Sequence, residues 1–202
     1  MAEQAVAEGA RERILAAAVE RIAGDGIDDV RIARIAMDAG VSTALVHYHF
    51  ATREALLAEA LEYSFELAGD TRTLDTGEGP AVQRLREMVD QCLPLPGVQE
   101  RDWVLWVELW LRAVRHPELR PTAARLYARM HDWFVEAIEA GDFGPCDAHR
   151  VADRTLALLD GLGLRALLGD PEMTLERARE EVWDALAREL GLAGRRHASR
   201  FF

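Results

Sequence analysis

Apolar positions recur at spacings of three and four along nearly the whole chain, and no segment alternates as a half-buried strand does. In the first such stretch Ile14, Leu15, Ala18, Val19 and Ile22 share one face, which predicts a helix over about 11–24 ended by Gly24 and Gly26. The same spacing predicts helices over about 31–38, 42–50 (opened by the cap Ser42), 52–70 (opened by the cap Thr52), 80–92, 99–115, 119–140, 147–168 and 174–190. Breaks fall at Ala39-Gly40-Val41, Pro94-Leu95-Pro96-Gly97, His116-Pro117, Gly169-Asp170-Pro171 and Gly191. The expectation is an all-α chain of about nine helices. The turn-rich stretch 71–80 is the best linker candidate, and the tail from Ala193, with Arg195, Arg196 and Arg200, is expected to be mobile.

Composition removes several classes. Of 202 residues 50% are hydrophobic and 29% charged, enough apolar surface for a packed core and too much for a disordered chain. Cys92 and Cys146 are far apart and form no CxxC pattern, so a reducing compartment is expected. The chain shows neither a secretory leader nor an apolar run of membrane-spanning length, and the reading is a cytoplasmic protein without a membrane partner. No GxSxG, P-loop, GxGxxG or HExxH occurs, so no enzyme, catalytic residue or cofactor is expected. His47 and His49 do not read as a metal pair, because helical residues two apart point about 200° apart.

Net charge changes the picture only when it is divided. The total of −11 argues against a polyanionic partner. From Ala10 to Leu56, however, six arginines stand against seven acidic residues, and the acidic excess lies beyond Leu57. The chain has no lysine, so cationic phosphate contacts fall to arginine.

The informative stretch is 30–57. A short apolar-faced helix, a turn with Gly40, and a second short helix capped by Ser42 follow one another. Gly40 suits a sharp turn between packed helices, and Ala36 lets those helices approach. Val41 and Val46 are placed to join Ile14, Ile32 and Ile35 in a core, leaving Thr43, His47, Tyr48 and His49 outward. Spacing alone leaves an ordinary αα-hairpin open beside a DNA-reading helix-turn-helix.

The run IARIAMDAGVSTALVHYHFATREAL, Ile32 to Leu56, resembles the TetR family of transcriptional regulators. The matching positions are Ala36, Ala39, Gly40, Val41, Ser42, Tyr48, His49, Phe50, Thr52, Arg53, Glu54 and Leu56. The resemblance implies that Ser42, Thr43 and Ala44 open the recognition helix at the bases, and that His47 and Tyr48 reach bases or phosphates. It also implies phosphate contacts by His49, Thr52 and Arg53, with Arg31 and Arg34 flanking the groove. Two positions depart from the family pattern: His47 stands where a Tyr is usual, and Leu45 where a hydroxyl or Gly is common. Leu45 either reads a thymine methyl or packs.

The resemblance further implies domains at 1–56 (helix-turn-helix), 57–192 (ligand and dimerisation) and 193–202 (tail). Trp103, Trp106, Val107, Trp110 and Val114 fall on one predicted face, with Tyr127, Met130, Trp133 and Phe134 on the next helix. This cluster is either core or the wall of an effector pocket. With the acidic excess of the body, the second reading suits a cationic or amphipathic aromatic ligand. The stretch around Trp103–Trp110 and Asp160-Gly161-Leu162 resembles the BetI-type regulatory half of the family. Glu108 stands four before Arg112 and reads as a solvent-facing pair. Helix 147–168 is unusually apolar, and the family pairs its last two helices across a dimer seam. Leu159, Leu162, Gly163, Ala166, Val182, Trp183 and Leu186 are the seam candidates, implying a C2 homodimer.

The combined expectation is a repressor that binds a roughly palindromic DNA operator as a dimer and is released when a small molecule shifts the fourth helix. The alternatives are a regulator gated by a protein partner and an all-α interaction protein with a degenerate DNA-binding end.

Overall fold

The computed structural model describes residues 2–71 and 81–192. Among them are nine α-helices and no strand: α1 (Ala2–Asp25), α2 (Ile32–Asp38), α3 (Thr43–His49), α4 (Arg53–Thr71), α5 (Ala81–Gln91), α6 (Val98–Arg115), α7 (Arg120–Glu139), α8 (Ala148–Leu167) and α9 (Leu175–Glu189). A 3-10 turn over Pro117–Leu119 leads into α7. The main departure from the sequence expectation is α1, which begins at Ala2 rather than near 11. Residues 2–8 offer little apolar periodicity, but alanine and glutamate are strong helix formers. The linker candidate and the C-terminal tail lie outside the described residues, apart from Thr71 at the end of α4.

The chain forms two compact units. The first holds residues 1–71 and 101–126. In it α1 packs along α4 and against α2 and α3, burying Ile14, Ile22, Ile35, Val46 and Leu56 completely. The turn between α2 and α3 is closed by backbone. Gly40 takes φ +65°, and Val41 N–H donates to Ala36 C=O at 2.9 Å, the six-to-one bond of a Schellman ending. Ser42 then accepts from Leu45 N–H at 3.2 Å and opens α3.

Of the described residues, the second unit holds 81–100 and 127–192. There α8 and α9 pack as a pair and α5 lies on α9, around Leu85, Leu93, Phe134, Leu159, Leu186 and Leu190. Asp147 caps α8 and Thr174 caps α9, each accepting a backbone N–H three residues on. Arg86 lies over the Trp183 ring at 4.0 Å, and Arg179 pairs with Asp90 at 2.6 Å, so α5 is tied to α9 by charge as well as by apolar contact.

Candidate functional site

α3 is seven residues long, and only Val46 is fully buried. That one anchor fixes its rotation. Thr43, Ala44, His47 and Tyr48 are exposed, Tyr48 at 79%, while Leu45 and His49 are half-buried. The outward face thus carries the hydroxyls of Thr43 and Tyr48, the Ala44 methyl, the Tyr48 ring and an imidazole, with no carboxylate, amide, Arg or Lys on the helix at all. His49 sits edge-on to Tyr48, and its Nε2 is buried without a hydrogen-bond partner among the described residues.

The flanking arginines divide sharply. Arg31 occupies the N-cap of α2, exposed, and forms no ion pair among the described residues. Arg34 is exposed and stands 3.9 Å from Asp25. Arg21 grips both oxygens of Asp38, holding that carboxyl below the usual carboxylate range. Arg53 differs most from its expected phosphate role. Its Nε donates to Val30 C=O at 3.1 Å, one terminal nitrogen donates to Ile27 and Asp28 C=O at 2.6 and 3.1 Å, and its other faces Glu54 at 3.6 Å. With its donors committed inward, Arg53 clamps the loop that feeds α2 onto the start of α4. Thr52 caps α4, accepting from Ala55 N–H at 3.0 Å.

The aromatic candidates fall into two groups. In the first unit, Trp110 lies edge-on to Trp103 at 6.2 Å and tilted against Trp106 at 5.6 Å. The buried stripe of α6 runs through Leu105, Leu109 and Ala113, with Trp103 also buried. Trp106 and Trp110 border that stripe half-buried, and Val114, expected on the apolar face, is 72% exposed. Arg112 pairs with Asp28, not with Glu108 as the i,i+4 spacing suggested.

In the second unit, Phe134 and Met130 are buried and Trp133 carries Arg129 over its ring at 5.4 Å. Tyr127 donates its hydroxyl proton to Asp160. Burial pushes the Asp160 carboxyl up and the Tyr127 hydrogen bond opposes it, while burial and then Asp160 hold the Tyr127 proton in place. Both side chains line a cavity of about 460 Å³ with Leu156, Asp153 and His131, the last stacked on His149 at 5.3 Å. Asp160 was not among the candidates. Its signal was a single acid inside the otherwise apolar stretch of α8, paired with a residue 33 positions away.

Most of the seam candidates lie in the protomer interior. Leu159 is 1% exposed, and Gly163, Val182, Trp183 and Leu186 are likewise buried inside the protomer, with only Leu162 and Ala166 partly accessible. Their apolar periodicity is satisfied by packing within the chain. The face of α8 that remains accessible passes through Ala157, Gly161, Leu164 and Leu168, Leu168 at 76%.

Comparison with known proteins agrees with this geometry. Residues 14–60 match the family described as bacterial regulatory proteins, tetR family, and residues 81–191 match the BetI-type transcriptional repressor C-terminal family. The HTH-type transcriptional regulator BetI of Ectopseudomonas mendocina is 30% identical, over 91% of this chain and 94% of that one. A structure described as a transcriptional regulator from Saccharomonospora viridis in complex with choline is 33% identical, with a TM-score of 0.78 over 87% of this chain and 94% of that one. The multidrug binding protein EbrR complexed with proflavin is 26% identical, with a TM-score of 0.61 over 87% and 99%. Among the described residues no helix is long and apolar enough to cross a membrane.

Proposed function

Because the chain belongs to the TetR family of transcriptional regulators, with a BetI-type C-terminal half, we propose that it is a cytoplasmic repressor which binds an inverted-repeat operator as a C2 dimer and leaves it on binding an organic cation. The observation that carries the DNA reading is the outward face of α3, held by one buried valine and a serine cap and presenting Thr43, Ala44, His47 and Tyr48. Such a helix lies in the major groove, where Ala44, the Thr43 methyl, Tyr48 and the accessible part of Leu45 meet thymine methyls and His47 meets a purine N7 or O6. Arg31 and the start of α4 at Thr52 contact the sugar-phosphate backbone. Arg34 joins them when it leaves Asp25, and His49 once its ring turns outward.

The accessible α8 face at Ala157, Gly161, Leu164 and Leu168 meets its copy in the dimer. The acidic body supports a cationic effector, as do choline and proflavin, both cations, in the two similar structures. Tyr127 and Asp160 are the groups we assign to that ligand. Trp133, Met130 and Phe134 support them from α7. The ligand displaces α4 and so changes the separation of the two α3 helices. It acts only through unequal affinity for the two separations. The test is fluorescence anisotropy of a labelled operator titrated with choline and with proflavin. Release by a cation, and none by a neutral analogue of similar size, supports the reading; unchanged operator affinity at saturating cation counts against it.

A further inference from the structure

A second cavity, of about 320 Å³, lies wholly within the first unit, between the loop at Ile27, the first half of α4 and the end of α6. Its walls are chiefly apolar, with Leu57, Leu61 and Leu119 among them. That volume falls in the range of small-molecule sites. Its polar groups are unevenly placed. Arg112 lines the cavity with its side chain only 15% exposed, yet its carboxylate partner Asp28 is 89% exposed on the loop outside. The carboxylate that does line the cavity, Glu54, is itself exposed and faces Arg53 at 3.6 Å, and His116 lines it as well. The cavity is therefore lined by a nearly buried Arg112 side chain and by leucines, and the arginine's counter-ion loses little on leaving for water.

We propose that this cavity binds a small amphipathic carboxylate, whose head replaces Asp28 on Arg112 and whose apolar tail lies against Leu57, Leu61 and Leu119. A guanidinium fork matches a carboxylate in two-point geometry, which selects an acid over an amide or alcohol of the same shape. Asp28 is released into solvent, and the tie between α6 and the loop feeding α2 is lost with it. This site shares no lining residue with the Tyr127–Asp160 groove, and its occupation does not depend on the DNA reading.

The test is calorimetric titration of the full chain with octanoate and with its neutral amide, octanamide. Wild type is expected to bind one octanoate at this site at least tenfold more tightly than octanamide. Asp28→Asn removes the competing carboxylate from an exposed loop position, so it keeps the fold and binds octanoate several-fold more tightly than wild type. Arg112→Gln is expected to bind both probes alike. The proposal is overturned if wild type does not distinguish acid from amide or binds neither, if Asp28→Asn leaves octanoate affinity unchanged or lowers it, or if Arg112→Gln keeps the preference.

Discussion

α3 and α8 were both singled out by their side-chain patterns, and the structure uses them in opposite ways. In α3 a single valine is spent on the fold and the remaining side chains face outward or lie at the margin. In α8, Leu156 and Leu159, with Val151, Ala152 and Thr155, are buried against neighbouring helices, while Leu168 stays exposed. On the proposed reading, the dimer contact of α8 falls to Ala157, Gly161, Leu164 and Leu168, and its ligand contact to the half-buried Asp160. An apolar stripe reports that a helix is buried on one face; it does not report whether the covering surface belongs to the same chain.

Substitutions on the two faces of α8 sharpen this contrast most. Leu159→Ala should lower the free energy of unfolding by about 2–5 kcal/mol, the usual cost of a fully buried leucine. Gly161→Glu, at a position with open space around it, should leave the thermal midpoint of the protomer almost unchanged while sedimentation shows loss of the dimer. A dimer that survives Gly161→Glu, or a Leu159→Ala variant that dissociates without unfolding, would reverse the assignment of the two faces.

On α3, Tyr48→Ala removes a side chain that contributes nothing to the core. Operator affinity should fall by about 1–3 kcal/mol per half-site, roughly fivefold to 150-fold, with the melting curve unchanged. Arg31→Ala should weaken all duplexes alike and lower the salt slope by about 1 per half-site, as loss of a phosphate contact does. Replacing thymine by uracil in the bound half-site should cost about 0.8 kcal/mol, or roughly fourfold, for each methyl that α3 covers.

The smallest effect is expected at Asp160. Burial raises its carboxyl above the ordinary range, so the folded chain holds this proton more tightly than the unfolded chain. Its contribution to stability is greatest below the unfolded value and declines as pH rises through the folded one. Asp160→Asn abolishes that decline, so the variant's Tm should gain on wild type between about pH 4 and neutrality. Thermal melts across that interval check it, and a constant difference would refute it.

Helix content and breaks were legible because apolar spacing, Gly40, Ser42 and Thr52 act locally. The helix-turn-helix was legible for the same reason: its turn chemistry and cap lie within a dozen residues of one another. The role of Arg53 was not, since three carbonyls of a loop more than twenty residues away take its donors. Nor was the Arg112–Asp28 pair, which joins residues 84 apart and displaces the local Glu108 pairing. Side chains acting at long range depend on how helices meet, and spacing along one helix carries no record of that.

The central claim is that paired α3 helices read DNA from an acidic protein. Selection of bound duplexes from a random library, followed by affinity measurements at two salt concentrations, tests it most directly. The account predicts an enriched inverted repeat, with thymines at the positions facing α3, and affinity that falls steeply with salt. No enrichment, or weak binding indifferent to salt, would contradict it.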